Sequence, residues 1–190
     1  LILVGNELHR YTLDAANCQL TDKEILISNG LDQPRQLTTD SHGNLYISNQ
    51  GQSHCVKVFA ADGKRLLRII GKPGKPQSGK YDELHMNNPD GIAIDARDQL
   101  WVTEDFKAPK RVSVWSLDGK LIKAFYGPPG YGGGGMIDPN DPSRFYLSQN
   151  NGGMEFKINQ TTDQAKLDRI YWLASETPWY AHKWHGPQTV

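Results

Sequence analysis

The sequence predicts an all-β chain assembled from repeated four-stranded antiparallel units, and three observations predict it. One stretch returns almost intact: "LDQPRQLTTDSHGNLYISNQ" at residues 31–50 is echoed by "NNPDGIAIDARDQLWVTED" at residues 87–105. Each copy continues into apolar runs of strand length, punctuated by turn residues, and self-similarity on this scale marks a repeat architecture. The composition agrees: 19 Gly and 11 Pro in 190 residues suit many turns, and no stretch carries the 3.6-residue apolar period of a helix.

The units follow in order. From Pro34 the chain reads Leu37, Asp40, Gly43, Leu45-Tyr46-Ile47-Ser48, Val56-Lys57-Val58-Phe59, Asp62-Gly63-Lys64 and Leu66 to Gly71. From Pro89 it reads Ile92, Asp95, Leu100-Trp101-Val102-Thr103, Val112-Ser113-Val114-Trp115, Asp118-Gly119-Lys120 and Leu121 to Gly127, at an offset of 55 to 56 residues. A worn third copy keeps Ile137-Asp138, Phe145-Tyr146-Leu147-Ser148, Met154 to Ile158 and Leu167 to Ile170, and opens on a glycine run in place of Pro. Asp62-Gly63 and Asp118-Gly119 read as two-residue hairpin turns between the third and fourth strands.

Four antiparallel strands, A to D, repeated radially, make the blade of a β-propeller. A sandwich also uses short strands but has no reason to repeat one punctuated unit. The blades fall at about residues 1–30 (lacking strand A), 34–71, 89–127 and 133–172, and residues 184–190 read as the start of another. Residues 1–190 thus form a single, partial propeller domain of about 3.5–4 blades. We expect a piece of a longer chain, with two alternatives: a ring completed by another chain, or Thr189-Val190 supplying the absent strand. Open blade edges invite such pairing.

"PDGIAID", "LWVTE" and "RVSVWSLDGK" between Pro89 and Lys120 resemble the NHL repeat, which implies a six-bladed propeller. The Pro34 copy departs from that pattern at Arg35-Gln36, and Asp98-Gln99 departs from its Gly-Asn turn. The resemblance spans roughly residues 31–172. It implies a fold, and most directly a non-catalytic module that binds ligands or proteins.

Lys plus Arg equals Asp plus Glu at 21 each, for zero net charge. Such a balance removes the simplest case for a nucleic-acid or membrane-surface partner. No apolar run approaches the roughly 20 residues of a membrane span, so we expect a soluble protein, with a secreted or periplasmic setting left open. Cys18 and Cys55 fit no metal-ligand spacing. Blade geometry places them on opposite faces, too far apart for a disulfide, so two free thiols are expected.

Strand A is innermost, so the residue after its leading Pro stands at the mouth of the central channel. Arg35 and Asp90 occupy that place, with Gly133 or Gly134 and Gln188 in the other copies. The two can form an ion pair, or they can face a protein, small-molecule or carbohydrate ligand. On the same face the B–C turns bring His54, Glu104, Asp105, Lys107, Arg111 and Asn150, and the long link over residues 72–88 brings Tyr81 and His85. "PDGIAIDARDQLWV" also resembles gluconolactonase-type propellers. That resemblance implies a divalent cation such as Ca²⁺ held by Asp90 in a lactonase-like hydrolase; Asn29 lies out of register for its companion. The binding reading requires no cofactor and no catalytic residue. A third reading is RNA on the basic stretch Lys57, Lys64, Arg65, Arg68, Lys72, Lys75 and Lys80, which holds one acid, Asp62. A solvated outer strand explains that stretch equally well. The aromatic tail, with Tyr171, Trp172, Trp179, Tyr180 and Trp184, reads as blade core or as a platform for sugars or a protein.

Overall fold

The computed structural model describes residues 1–104, 109–127, 134–149 and 152–172, and every regular element among them is a β-strand. In chain order these are β1 (Ile2–Val4), β2 (Glu7–Asp14), β3 (Gln19–Ile27), β4 (Pro34–Thr39), β5 (Leu45–Asn49), β6 (Cys55–Phe59), β7 (Leu66–Ile70) and β8 (Gly79–Lys80). They continue as β9 (Pro89–Ile94), β10 (Gln99–Glu104), β11 (Lys110–Ser116), β12 (Leu121–Gly127), β13 (Gly134–Ile137), β14 (Arg144–Gln149), β15 (Gly152–Asn159) and β16 (Gln164–Trp172). They form four antiparallel sheets: β1-β2-β3, β4-β5-β6-β7, β9-β10-β11-β12 and β13-β14-β15-β16-β8. The first three are meanders of three, four and four strands, and the fourth is a four-stranded meander to which β8 adds at the β16 edge. No helix among the described residues is long and apolar enough to cross a membrane.

The described chain divides into two compact units, Leu1–Lys75 with Leu84–Glu104 and Val112–Ala124, and Pro76–Glu83 with Asp105–Arg111 and Phe125–Val190. In the first unit, β5 is buried along its whole length. Strand alternation sends Leu45 and Ile47 into one cluster with Leu8, Leu26, Ile27, Leu31 and Phe59. Tyr46 goes into the other, with Val56, Val58, Ile70, Met86, Ile92, Leu100, Val102 and Trp115. A blade buried on both faces must be apolar at successive residues, which is why the run Leu45-Tyr46-Ile47 does not alternate with polar residues. The second unit has its own core of Tyr81, Met154, Phe156, Leu167 and Ile170, with Tyr126 edge-on to Tyr81 at 6.3 Å and to Phe156 at 6.0 Å.

The repeated Asp and the repeated aromatic explain each other. Asp40 Oδ1 accepts from the His42 and Asn44 amides, and Oδ2 accepts from the Tyr46 hydroxyl at 3.2 Å. Asp95 accepts from the Arg97 and Gln99 amides and, at 2.8 Å, from Trp101 Nε1. Asp138 accepts from the Asn140 amide and from the Tyr146 hydroxyl. One carboxylate therefore closes the A–B turn and holds the ring of strand B. The Trp101 bond leads the contacts that hold the Asp95 carboxyl below its ordinary 3.8. At Asp40, burial pushes the carboxyl up, but the bonds from Asn44, His42 and Tyr46 outweigh it and keep it low.

Two expectations need correction. The hairpins at Asp62-Gly63 and Asp118-Gly119 are not two-residue turns. The Gly63 amide donates to Ala60 O and the Gly119 amide to Ser116 O, and the flanking pairs are Ala60 with Arg65 and Ser116 with Lys120. The loops are thus four and three residues long, each a type I turn closed by a glycine at positive φ (73° and 100°). Also, β3 begins at Gln19 rather than Ile25. Its added stretch is polar and exposed, so it lacked the apolar signature of a strand.

The A–B turn of the Pro34 copy uses Gly43 at φ 78°, and Asp98 takes the equivalent place at φ 55°. A side chain in the left-handed region costs on the order of 1 kcal/mol. Asp98→Gly is therefore expected to stabilise the protein by about 0.5–1 kcal/mol, seen as a raised urea midpoint at unchanged slope. Both cysteines are free, Cys18 exposed and Cys55 buried, and burial pushes the Cys55 thiol up to about 11. N-ethylmaleimide at neutral pH should add once to the native protein, at Cys18, and twice after denaturation; intact mass reads both.

Candidate functional site

Strand A has a free inner edge, where backbone groups must find partners other than a next strand. In β9 those partners come from the preceding blade. Gln36 Oε1 accepts from the Ile92 amide at 2.7 Å, Ser48 Oγ donates to Asp90 O at 2.7 Å, and Gln50 Nε2 reaches Pro89 O at 3.5 Å. Ser48 also accepts from the Gln36 amide, where the β4–β5 register shifts between Pro34 and Leu37. Thr103 repeats the device: its Oγ1 accepts from the Gly91 amide and donates to Gly91 O, at the register shift between Val102 and Glu104. Gly91, the counterpart of Gln36, is a glycine for a steric reason. A Cβ on Gly91 would lie 2.8 Å from Thr103 Oγ1, too close to tolerate, while Gln36 Oε1 at 3.4 Å would be in ordinary contact, so it is the Thr103 hydroxyl that calls for a glycine there.

On this fixed backbone stand Arg35 and Asp90. Arg35 Nε donates to Asp90 Oδ1 at 3.1 Å, and the side chains are 53% and 42% exposed. A half-exposed pair contributes only about 0.2–1 kcal/mol. A ligand can therefore displace it at little cost, while the Asp90 carbonyl stays anchored.

The other candidates in the first unit are drawn inward. His54 is buried and its Nδ1 accepts from the Asn88 amide at 3.0 Å, which places the proton of the neutral ring on Nε2. Burial, then Lys75, holds this imidazole below its usual range, so it serves as a neutral brace for the chain entering Pro89. Glu104 is buried too; it accepts from the Asn87 amide and from Ser113 Oγ, which in turn accepts from Trp115 Nε1. Asn49 does the same in the earlier copy, accepting from the Asp32 amide at 2.8 Å. His85 is half-buried, with Nδ1 2.7 Å from Gly74 O.

In the second unit, Tyr81 and Arg111 are buried, with the Arg111 guanidinium 5.8 Å from the Tyr81 ring centroid and donating to Glu83 O. The 72–88 link is more than a loop: Gly79–Lys80 pairs with Arg169 and Ile170 of β16 as a fifth strand. Asp105, Lys107, Asn150, Gly133, Gln188, Trp179, Tyr180 and Trp184 lie outside the described residues. Among the described residues no group of three or more His, Cys, Asp or Glu side chains could hold a metal ion. Within the basic stretch, Lys57 donates to Gly30 O, Arg68 to Leu117 O and Lys80 to Asp168.

Sequence reasoning missed Gln36 and Ser48. The hydroxyl was visible, since Ser48 and Thr103 close the same four-residue pattern, but its partner across the blades was not.

No protein-family model and no curated protein matches the sequence. Solved structures similar to the chain include a proposed 6-phosphogluconolactonase from Bacteroides uniformis, at 15% identity over 89% of this chain and 50% of that one, TM-score 0.46. A protein from Lactobacillus plantarum shows 14% identity over 90% and 64% of the two chains, TM-score 0.39. A chain of the nidogen/laminin complex shows 20% identity over 80% and 55%, TM-score 0.42. The chain spans half the length of the first of these. At such similarity none of them assigns an activity to it.

Ser48 is fully buried. Ser48→Ala removes the partner of the Asp90 carbonyl and the Gln36 amide, and should cost about 1–3 kcal/mol in urea unfolding. Thr103→Ser, which keeps the hydroxyl, should cost clearly less.

Proposed function

We propose that this chain is part of a non-catalytic propeller module that binds a polar ligand, a small carbohydrate or a protein loop, at the start of its A strands. The observation that carries the reading is the Arg35–Asp90 pair. It is charged and half-exposed, sits on a backbone pinned by Ser48 and Gln36, and costs little to rearrange. Glu104 and His54 are otherwise engaged: Glu104 accepts from the Asn87 amide and the Ser113 hydroxyl, and His54 Nδ1 accepts from the Asn88 amide. A guanidinium beside a carboxylate offers both donors and acceptors to hydroxyl, carboxylate and amide groups. The remaining blades belong, in this reading, to a longer chain or a second one.

Amide NMR titration with gluconate, glucose and a short acidic peptide tests it. At least one probe should shift the Gly91 and Ile92 resonances saturably, and Arg35→Ala should weaken that response at least about tenfold, the equivalent of ~1.4 kcal/mol. Absence of any shift at these amides sinks the reading. Hydrolysis of δ-gluconolactone that depends on both Ca²⁺ and Asp90 would replace it with the hydrolase.

A further inference from the structure

Direct cross-strand partners point to the same face of a sheet. In the second unit, Arg144 lies opposite Lys157, and Lys157 opposite Lys166, so three cations stand in one row across β14, β15 and β16. One register step away, Arg169 lies opposite both Glu155 and Lys80. Because Glu155 and Lys157 are two residues apart on β15, both rows share a face. Like charges set directly opposite each other destabilise a sheet, and this sheet does so three times: Arg144 with Lys157, Lys157 with Lys166, and Arg169 with Lys80.

The acids on this face do not balance the cations. Arg144 takes Glu155 and Asp141. Among the described residues Asp168 alone serves Lys80, Lys157 at 3.9 Å and Arg169 at 3.7 Å. That carboxylate is largely buried at 10% side-chain exposure, whereas the cations above it are 70%, 56% and 47% exposed. Lys166 is exposed, and the residue opposite it is Lys157. Positive charge is therefore concentrated and outward-facing in a chain whose net charge is zero.

We propose that this face, Lys80, Lys157, Lys166 and Arg169, is a docking surface for a sulfated polysaccharide. The rows run across strands about 4.8 Å apart and lie roughly 7 Å from each other on β15, a spacing suited to a linear ligand with closely spaced anions. The described aromatic rings of this sheet, Phe145, Tyr146, Phe156 and Tyr171, are buried or half-buried. Among the described residues no ring of this sheet is exposed, so these rings give the bases of single-stranded nucleic acid little to stack on, which favours an anion-rich sugar chain.

The test uses heparin-derived dodecasaccharide in calorimetry at about 0.1 M NaCl, where exposed charges act over roughly 10 Å. The wild type should bind, with affinity falling linearly in log–log against salt. Lys157→Ala/Lys166→Glu should bind at least about tenfold more weakly, with the salt slope reduced by about one for each cation removed. Lys166→Glu alone replaces a like-charge pair with an opposite-charge pair, so it should bind more weakly while melting about 1–3 °C higher. Loss of binding in that variant cannot then be ascribed to unfolding. Undetectable binding by the wild type overturns the proposal. So does binding that survives at Lys157 and Lys166 but is lost in Lys64→Ala/Arg65→Ala. Tighter binding of oligo-uridylate or polyglutamate at the same salt overturns the assigned partner.

Discussion

The free inner edge of strand A is the constraint around which the first unit is organised. A blade ends there with backbone amides and carbonyls aimed at no further strand, and buried polar groups without partners cost on the order of 1–3 kcal/mol each. The chain meets this demand from the preceding blade, through Gln36, Ser48 and Gln50 onto Ile92, Asp90 and Pro89. Several sequence features follow from that one solution. The hydroxyl must recur at the end of strand B, Gly91 must lack a side chain, and β4 must shift register so that the Gln36 amide meets Ser48. The blades are thereby tied by directional bonds as well as by the apolar clusters, which alone would permit sliding.

Once the backbone is pinned in this way, the side chain after the leading Pro is released from any structural duty. The scaffold therefore repeats while Arg35 and Asp90 do not. The same separation appears in the turns. Asp40, Asp95 and Asp138 are held in place by the turn amides and by Tyr46, Trp101 and Tyr146, so these carboxylates are structural and poor candidates for binding. Asp90 is not tied to its own turn; among the described residues its carboxylate accepts from Arg35 Nε.

Legibility from sequence tracked locality. The strands of the 34–71 and 89–127 blades could be read from periodic punctuation, because apolar runs and turn residues act within a few positions. The polar start of β3 and the two-residue β8 carried no such mark; both are strands because a neighbour supplies the ladder. The Asp-Gly turns misled because that dipeptide serves two geometries, and only the pairing partners decide between them. His54, Glu104, Tyr81 and Arg111 were grouped as surface candidates on the strength of lying in turns. Glu104 ends β10 and Arg111 lies in β11, where the strand turns their side chains inward, and His54 and Tyr81 are buried as well. Arg35 and Asp90 were legible as a pair because a repeat with one variable position isolates that position.

Total charge was the least informative quantity. It is a sum, and binding responds to local imbalance. Around Asp90 each charge has a partner of opposite sign within reach, and the result is a small dipole that a neutral polar ligand can engage. Across β14, β15, β16 and β8 charge is less evenly shared: Glu155 and Asp168 are buried, while Lys80, Lys157 and Arg169 stand outside. A sheet under selection for stability alone would have an acid at Lys166, where it would meet Lys157 directly. The cations stand in that row despite the cost, and the polyanion proposed above would relieve it.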